Sequence, residues 1–413
     1  MKIKMEYIAR VEGEGSVELE IKDGKLKDLK LNIWEPPRFF EGFLRGRRFD
    51  EVPDIVARIC GICPVSHMAT SIKALEKATG FKPSPEIVNI RKIMALSQMA
   101  SSHVVHLYVL ALPDYRRQAM ITKKMEAEIN RLIRMKEALN NVTASFGGRA
   151  LHPVAMVVGG FTKAPSKDEV GVLMNGLESI REDAEETLKM ASGFSCPDFE
   201  AETEYVCLSG REGYSINEGS IISNLGLMAE EDDYSMFFEE TEIPYSNAKR
   251  TVVKGRGSLM VGALSRLNLN FTALHPYAKE AAGISGFRPS VKNPFMNNIS
   301  QAIEIIHGIS ECMELLDGLT LRDFFFDVKA GEGFGSAATE APRGLLCHQY
   351  RINRRGIVEE ANIVTPTAHN FLSLEEALKK FVSENLDKPK KELILLSEML
   401  IRAYDPCFSC SVH

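Results

Sequence analysis

Residues 3–34 alternate apolar and polar side chains, as in SVELEIKDGKLKDLKLNI, and an Asp23-Gly24 pair interrupts the alternation. A period of two with such a pair between its halves predicts a β-hairpin closed by a type I′ turn, since both turn residues must accept positive φ. After Trp34 the period lengthens. The stretch SPEIVNIRKIMALSQMASSHVVHLYVLAL predicts a helix with Ser84 as N-cap, Pro85 at the first helical position and Glu86 in the first turn, running to Leu112. Apolar residues occupy most of its faces, so it belongs in a core. Helical spacing also predicts helices over 120–139, over 166–190 from the capping box Ser166-x-x-Glu169, over 298–319 and over 391–404.

These elements predict a mainly α protein with small β parts, an α+β fold built on a bundle of long helices. The helical core spans 84–190 and 298–319, an N-terminal β part spans 1–35, and the C-terminal segment spans 391–413. Between 193 and 286 the pattern weakens into short strands and turns with acidic clusters at 230–233 and 239–242, which reads as a peripheral lobe. No repeat or low-complexity linker divides the chain, so one domain over 1–413 is expected.

Charge and hydropathy then narrow the classes of function. The formal net charge of −6 leaves no basic surplus for a phosphate backbone, and nucleic acid is not an expected partner. No uninterrupted apolar run approaches the roughly 20 residues of a membrane span. The start, MKIKMEYIARVEGEG, has no apolar stretch of the kind a secretory signal needs, so a cytoplasmic location is expected.

Candidate chemistry lies in the cysteines. Of eight, Cys60 and Cys63 form one Cys-x-x-Cys pair in RICGICPVSH, and Cys407 and Cys410 form another in DPCFSCSVH. Two such pairs closing one four-sulfur site often hold structural zinc. Each pair, however, is followed by a histidine (His67, His413) and preceded by a charged residue (Arg58, Asp405). Pro64 and the run VSHMATSIKALEKATG predict a helix starting at the first pair and stopping at Gly80, whose N-terminus is expected to favour thiolate at Cys63. Such a knuckle suits zinc and an electron-rich metal equally. Cys196, Cys207, Cys312 and Cys347 read as single thiols without a ligand role, and His103, His106 and His152 read as structural histidines.

The frame R-x-C-G-x-C-x-x-x-H with a terminal D-P-C-x-x-C-x-x-H resembles the large subunit of the nickel-iron hydrogenases. ARVEGEG, SHVVHLYVLALPDY, GGRALHPVAMVVGGF, EAPRG and TPTAHN agree in order and placement, so the resemblance spans nearly the whole chain. NPFMNN and the CSVH ending are most similar to the cytoplasmic, multisubunit, bidirectional group that includes the sulfhydrogenase alpha subunits.

The resemblance implies that Cys60 and Cys407 are terminal nickel ligands, and that Cys63 and Cys410 bridge nickel to an iron carrying carbon monoxide and cyanide. It implies that Glu12 takes protons from Cys407. Arg343 would stand over the bimetallic centre, held by Asp405 and Asp114, with Pro342 shaping the pocket beside the iron. Glu41, His413 and the Ile363 carbonyl would hold a separate magnesium or iron ion, and His67 would hydrogen-bond a bridging cysteine. Taken singly, Glu12 is equally a solvated carboxylate, Arg343 an ordinary salt-bridged arginine and His67 a satisfied core histidine.

The implied activity is reversible, heterolytic cleavage of dihydrogen. The implied partners are a small subunit with iron–sulfur clusters, further iron–sulfur subunits, and subunits binding flavin and NAD(P). No iron–sulfur cluster or flavin is expected in this chain, and no G-x-G-x-x-G fingerprint occurs in it. A maturation endopeptidase is expected to act just beyond the motif histidine, so a chain stopping at His413 reads as the mature form. A deazaflavin-reducing alpha subunit, a hydrogen sensor, a non-catalytic homologue and a zinc protein are the alternatives.

Overall fold

The computed structural model describes residues 2–210 and 213–413. The N-terminal hairpin forms as predicted and gains a third strand: Lys2–Met5, Gly15–Lys22 and Lys25–Ile33 make an antiparallel sheet. Lys22 pairs with Lys25, and Asp23 and Gly24 have φ of 52° and 70°, as a type I′ turn requires.

The helix from Pro85 is capped by Ser84, whose Oγ accepts from Ile87 N. It runs as α-helix to Val105, widens to a π-helix over His106–Ala111, and closes with Leu112–Tyr115. Pro113 explains the widening, because its ring lacks an N–H and crowds the carbonyl four residues back. By length and composition Pro85–Tyr115 passes as a membrane span, but its most apolar window is 83% buried within the protein, which marks a core helix. It packs against Asn297–Asp317 and Glu126–Gly147.

Two predicted helices are corrected. The one expected over 120–139 is Glu126–Gly147, entered by a 3-10 turn at Lys123–Met125 and stopped at Gly148 with φ of 81°. The one expected over 166–190 keeps its capping box but divides into Lys167–Glu178 and Arg181–Ser192. The break falls where Ile180 leaves helical geometry (φ −107°, ψ 4°) and Ser179 Oγ bonds back to the Gly176 carbonyl. The terminal helix is Lys390–Ala403.

Pattern alone missed an antiparallel sheet of Gly333–Ala341, Gly344–Ile352 and Val358–Val364. The first two strands are buried along almost their whole length, so no alternation announces them. The helix Pro64–Thr79 lies on this sheet and ends at Gly80 as predicted. The 193–286 stretch is only partly peripheral: its strand Glu204–Ser209 and helix Ala263–Asn270 are largely buried, and Arg266 is wholly enclosed. The main apolar core runs from Ile3 in the first strand to Val412 near the C-terminus, and a second cluster gathers Val206, Leu208, Leu259, Leu345 and Val364.

The candidate metal centre

The first cysteine pair sits where a short 3-10 turn meets a helix. Cys60 is extended (φ −140°, ψ 137°) after Ala57–Ile59, and Cys63 is the residue that opens the Pro64 helix. The amides of Ile62 and Cys63 donate to the Cys60 sulfur at 3.2 and 3.3 Å. A hydrogen bond from the Cys63 side chain, with the Ile62 amide a lesser help, lowers the Cys60 thiol, while that side-chain bond and burial push Cys63 up. This corrects the expectation that the helix start would favour Cys63, since the amides of the turn aim at its neighbour.

The second pair reaches the first from 347 residues away. Cys60 and Cys407 sulfurs lie 3.7 Å apart, and Cys63 and Cys410 sulfurs 3.9 Å apart. All four residues are buried. Cys407 and Cys410 are joined as a disulfide, with Cα atoms 5.4 Å apart, so a four-thiolate site requires their reduced form. The last segment is threaded against the N-terminus: Phe408 N donates to the Glu12 carbonyl at 2.7 Å. Gly13, at φ 88°, makes this approach possible, because a Cβ there would lie 2.5 Å from Ser409 N.

Glu12 Oε2 lies 2.8 Å from the Cys407 sulfur. The Ser409 amide donates to the same oxygen at 3.3 Å, and the Ser409 hydroxyl donates to Oε1. Arg343 stands at the tip of the hairpin between Ala341 and Gly344, next to Pro342, both buried. Its Nε donates to the Asp405 carbonyl at 2.9 Å and to Oδ1 at 3.1 Å, and Nη2 is 3.1 Å from Oδ1. Burial opposes its charge, but Asp405 and the Cys60 and Cys63 sulfurs hold the guanidinium protonated. Arg343 Nη1 is buried without a hydrogen-bond partner among the described residues.

Asp114 is elsewhere engaged, which corrects its expected role. Arg402 grips it with Nε at 2.6 Å and Nη2 at 2.9 Å, and Arg10 pairs with it as well. A planar guanidinium matches both carboxylate oxygens at once, and among the described residues Asp114 hydrogen-bonds Arg402 and Arg10 and not Arg343. An amide backs the Arg343–Asp405 pair instead: Gln301 Nε2 donates to Asp405 Oδ2 at 3.0 Å, and His106 Nδ1 lies 2.5 Å from Gln301 Oε1. His103 Nε2 lies 2.8 Å from Glu304 Oε2 while its Nδ1 has no partner among the described residues, and His106 is bonded at both nitrogens, so both are buried structural histidines.

Glu41, Ile363 and His413 converge. His413 Nε2 is 2.6 Å from the Ile363 carbonyl and 3.8 Å from Glu41 Oε1, which accepts from Ile363 N at 2.9 Å. Burial works against the Glu41 charge, but the His413 bond and charge hold its carboxyl below the usual range. A His67 nitrogen falls within 4.8 Å of the Cys63 and Cys410 sulfurs. Its recorded hydrogen bond, however, goes to His348, which sequence reasoning did not single out. Thr367 was also missed; its Oγ1 accepts from Cys407 N at 2.9 Å. The motif TPTAHN was its only signal.

Four buried sulfurs from two segments form a soft donor set that fits nickel or another thiophilic transition metal. Arg343 Nη1, buried and without a hydrogen-bond partner among the described residues, adds an unused donor near the sulfurs.

A fold with two distant cysteine pairs closed by a carboxylate and an arginine defines a metal-dependent redox enzyme. The nickel-dependent hydrogenase family model matches residues 38–132 and 299–413. The chain is 35% identical to the sulfhydrogenase 1 subunit alpha of Pyrococcus furiosus, covering all of this chain and 98% of that protein. It is 32% identical to the sulfhydrogenase 2 subunit alpha of the same organism, covering all of this chain and 99% of that protein. Among solved structures, an NAD+-reducing nickel-iron hydrogenase in its dihydrogen-reduced state superposes with a TM-score of 0.89 at 24% identity, covering all of this chain and 99% of that one. The reduced nickel-iron-selenium hydrogenase of Desulfomicrobium baculatum superposes at 0.81 and 22% identity over the full length of both chains. The chain belongs to the nickel-dependent hydrogenase family, as a catalytic large subunit. It is an oxidoreductase that acts on hydrogen.

Proposed function

We propose that this chain is the catalytic subunit of a cytoplasmic, multisubunit hydrogenase that splits and forms dihydrogen reversibly. The meeting of all four paired cysteines beside Glu12 and Arg343 carries the reading. In it, Cys60 and Cys407 would hold nickel, and Cys63 and Cys410 would be shared between nickel and an iron that carries carbon monoxide and cyanide. Bound there, the two metals supply heterolytic cleavage of dihydrogen.

The protein's own residues handle the proton and the approach of the gas. Glu12 takes a proton at the Cys407 sulfur, which its Oε2 already reaches at 2.8 Å, and Ser409 holds the carboxylate in that pose. Arg343 presents a fixed, charged N–H edge to a small ligand, and Asp405 with Gln301 fixes its plane. Pro342 forms an apolar wall beside it. Asp114 positions the terminal segment through Arg402, one turn ahead of Asp405. Glu41, His413 and the Ile363 carbonyl hold a magnesium or iron ion; carboxylate and carbonyl oxygens suit a hard cation.

Electrons leave singly to a small subunit with iron–sulfur clusters, then through flavin and iron–sulfur subunits to NAD(P). The alpha-subunit names of the relatives support the partners, and the NAD+-reducing structure supports the carrier. An infrared spectrum of the purified protein, with metal analysis, tests the centre. Bands of metal-bound carbon monoxide and cyanide, with nickel present, are expected. Nickel without such bands sinks the iron assignment, and zinc in its place sinks the redox reading.

A further inference from the structure

His67 lies on the first turn of the Pro64 helix, so one of its nitrogens comes within 4.8 Å of both the Cys63 and Cys410 sulfurs. Its Nδ1 is committed elsewhere: His348 Nε2 is 3.2 Å away. That leaves Nε2 as the nitrogen for the sulfurs. His348 Nδ1 in turn lies 2.6 Å from the Tyr350 hydroxyl. His348 and Tyr350 are two apart on the strand Gly344–Ile352, hence on one face, the face that packs on the Pro64 helix. His67, His348 and Tyr350 are all buried, at 1%, 0% and 0% exposure. The result is a closed chain of three polar groups ending at the sulfurs.

A chain of this kind has two polarities. A neutral imidazole has one N–H and one bare nitrogen, so each link determines the next. Both rings are enclosed by the protein, and as neutral imidazoles they can carry only these two arrangements. If the Tyr350 hydroxyl donates to His348 Nδ1, His348 Nε2 donates to His67 Nδ1, and His67 Nε2 carries a proton towards the sulfurs. In the reverse polarity a bare nitrogen lone pair faces electron-rich thiolates, which is repulsive. Tyr350 closes the chain at its far end, beside Ser71, and its hydroxyl donating to His348 Nδ1 reinforces the polarity that aims a proton at the sulfurs.

We propose that Tyr350 and His348 are positioning residues that lock His67 in the tautomer donating Nε2–H to the bridging sulfurs of Cys63 and Cys410. The proposal rests on the nickel-iron reading and says how this chain tunes that centre. An N–H bond to a thiolate withdraws electron density from it, so losing the bond makes the metals more electron-rich. Carbon monoxide bound to iron then absorbs at lower wavenumber.

The test is the infrared spectrum of the assembled, metal-loaded enzyme in four forms: unsubstituted, Tyr350→Phe, His348→Leu and His348→Gln. Tyr350→Phe removes one oxygen from a packed ring and keeps its volume. Its carbon monoxide band is expected to shift down, or to split into two as the chain populates both polarities. His348→Leu is expected to shift the band down fully. His348→Gln supplies an amide N–H that needs no tautomer, and is expected to leave the band near its unsubstituted position. If the band stays fixed in Tyr350→Phe and His348→Leu, the proposal is overturned while the nickel-iron centre stands. If the unsubstituted enzyme lacks bands altogether, the centre itself fails and this proposal with it. Should Tyr350→Phe fail to take up nickel, the contrast between the two His348 variants decides.

Discussion

Glu12 and Cys407 are bound twice over: their backbones form an isolated parallel bridge, and the Glu12 carboxylate lies 2.8 Å from the Cys407 sulfur. The same residue thus fixes the second cysteine pair in place and offers it a base. The two roles separate on substitution, because Glu12→Gln keeps the backbone contact and an acceptor while removing the carboxylate. Loss of proton relay in general acid–base catalysis is worth about 100-fold or more. Glu12→Gln is expected to lower dihydrogen–water isotope exchange by about that factor with nickel content unchanged. Unaltered exchange would refute the relay.

Arg343 holds its charge and plane through Asp405, and its Nη1 has no hydrogen-bond partner among the described residues. Lysine keeps the charge but loses the planar fork. Arg343→Lys is expected to retain metal and to lose about 100-fold in turnover, the scale of a single preorganised donor. The check is turnover per nickel, and parity with the unsubstituted enzyme would remove Arg343 from the machinery.

The Pro64 helix rests on the buried hairpin at glycines. A Cβ on Gly335 would lie 1.9 Å from the Ala74 carbonyl oxygen, and backbone atoms on both sides cannot yield. Gly335→Ala is expected to cost about 3 kcal/mol, the upper end of overpacking, and to displace the helix carrying Cys63 and His67. A lowered thermal midpoint and reduced nickel uptake are the readouts. A variant as stable as the parent would show that the two layers can separate freely.

His369 and His307 are fully buried, and burial pushes each down to about 4. A histidine with a depressed folded-state pKa contributes stability that is complete above its unfolded value near 6.5 and is lost as pH falls towards 4. Each contributes on the order of 3 kcal/mol, so the unfolding midpoint should drop steeply between pH 6.5 and 4. His369 Nε2 meets the Tyr234 hydroxyl at 2.8 Å, a bond glutamine can imitate. His369→Gln is expected to flatten that drop; an equally steep profile would place the acid sensitivity elsewhere.

Much of this was legible from residue order, for local reasons. The Asp23-Gly24 turn, the Ser84 cap, the Ser166 box and the Gly80 stop are each decided by neighbouring residues, and each formed. The two cysteine pairs were also named in advance from their spacing, and Glu12, Arg343, Glu41 and His413 from the resemblance to the nickel-iron hydrogenase large subunits. Other features needed the third dimension. The buried sheet Gly333–Val364 shows no alternation, since both of its faces are covered. The helix break at Ile180 and the π turn before Pro113 depend on packing and on a single ring.

The sequence by itself determined two thiol pairs spaced to close one metal site, and its resemblance to a family pointed to a carboxylate, an arginine and a terminal histidine beside them. It could not determine which guanidinium meets which carboxylate. Asp114 belongs to Arg402 rather than Arg343, and Asp405 is backed by Gln301, because ion pairs between distant segments are chosen by distance and plane once the chain has folded. Nor could it show that the amides of the first turn aim at Cys60, or that His67 is backed by His348 and Tyr350. Those relations exist only where a helix, a buried strand and the C-terminal segment meet, 347 residues apart along the chain at the cysteines themselves.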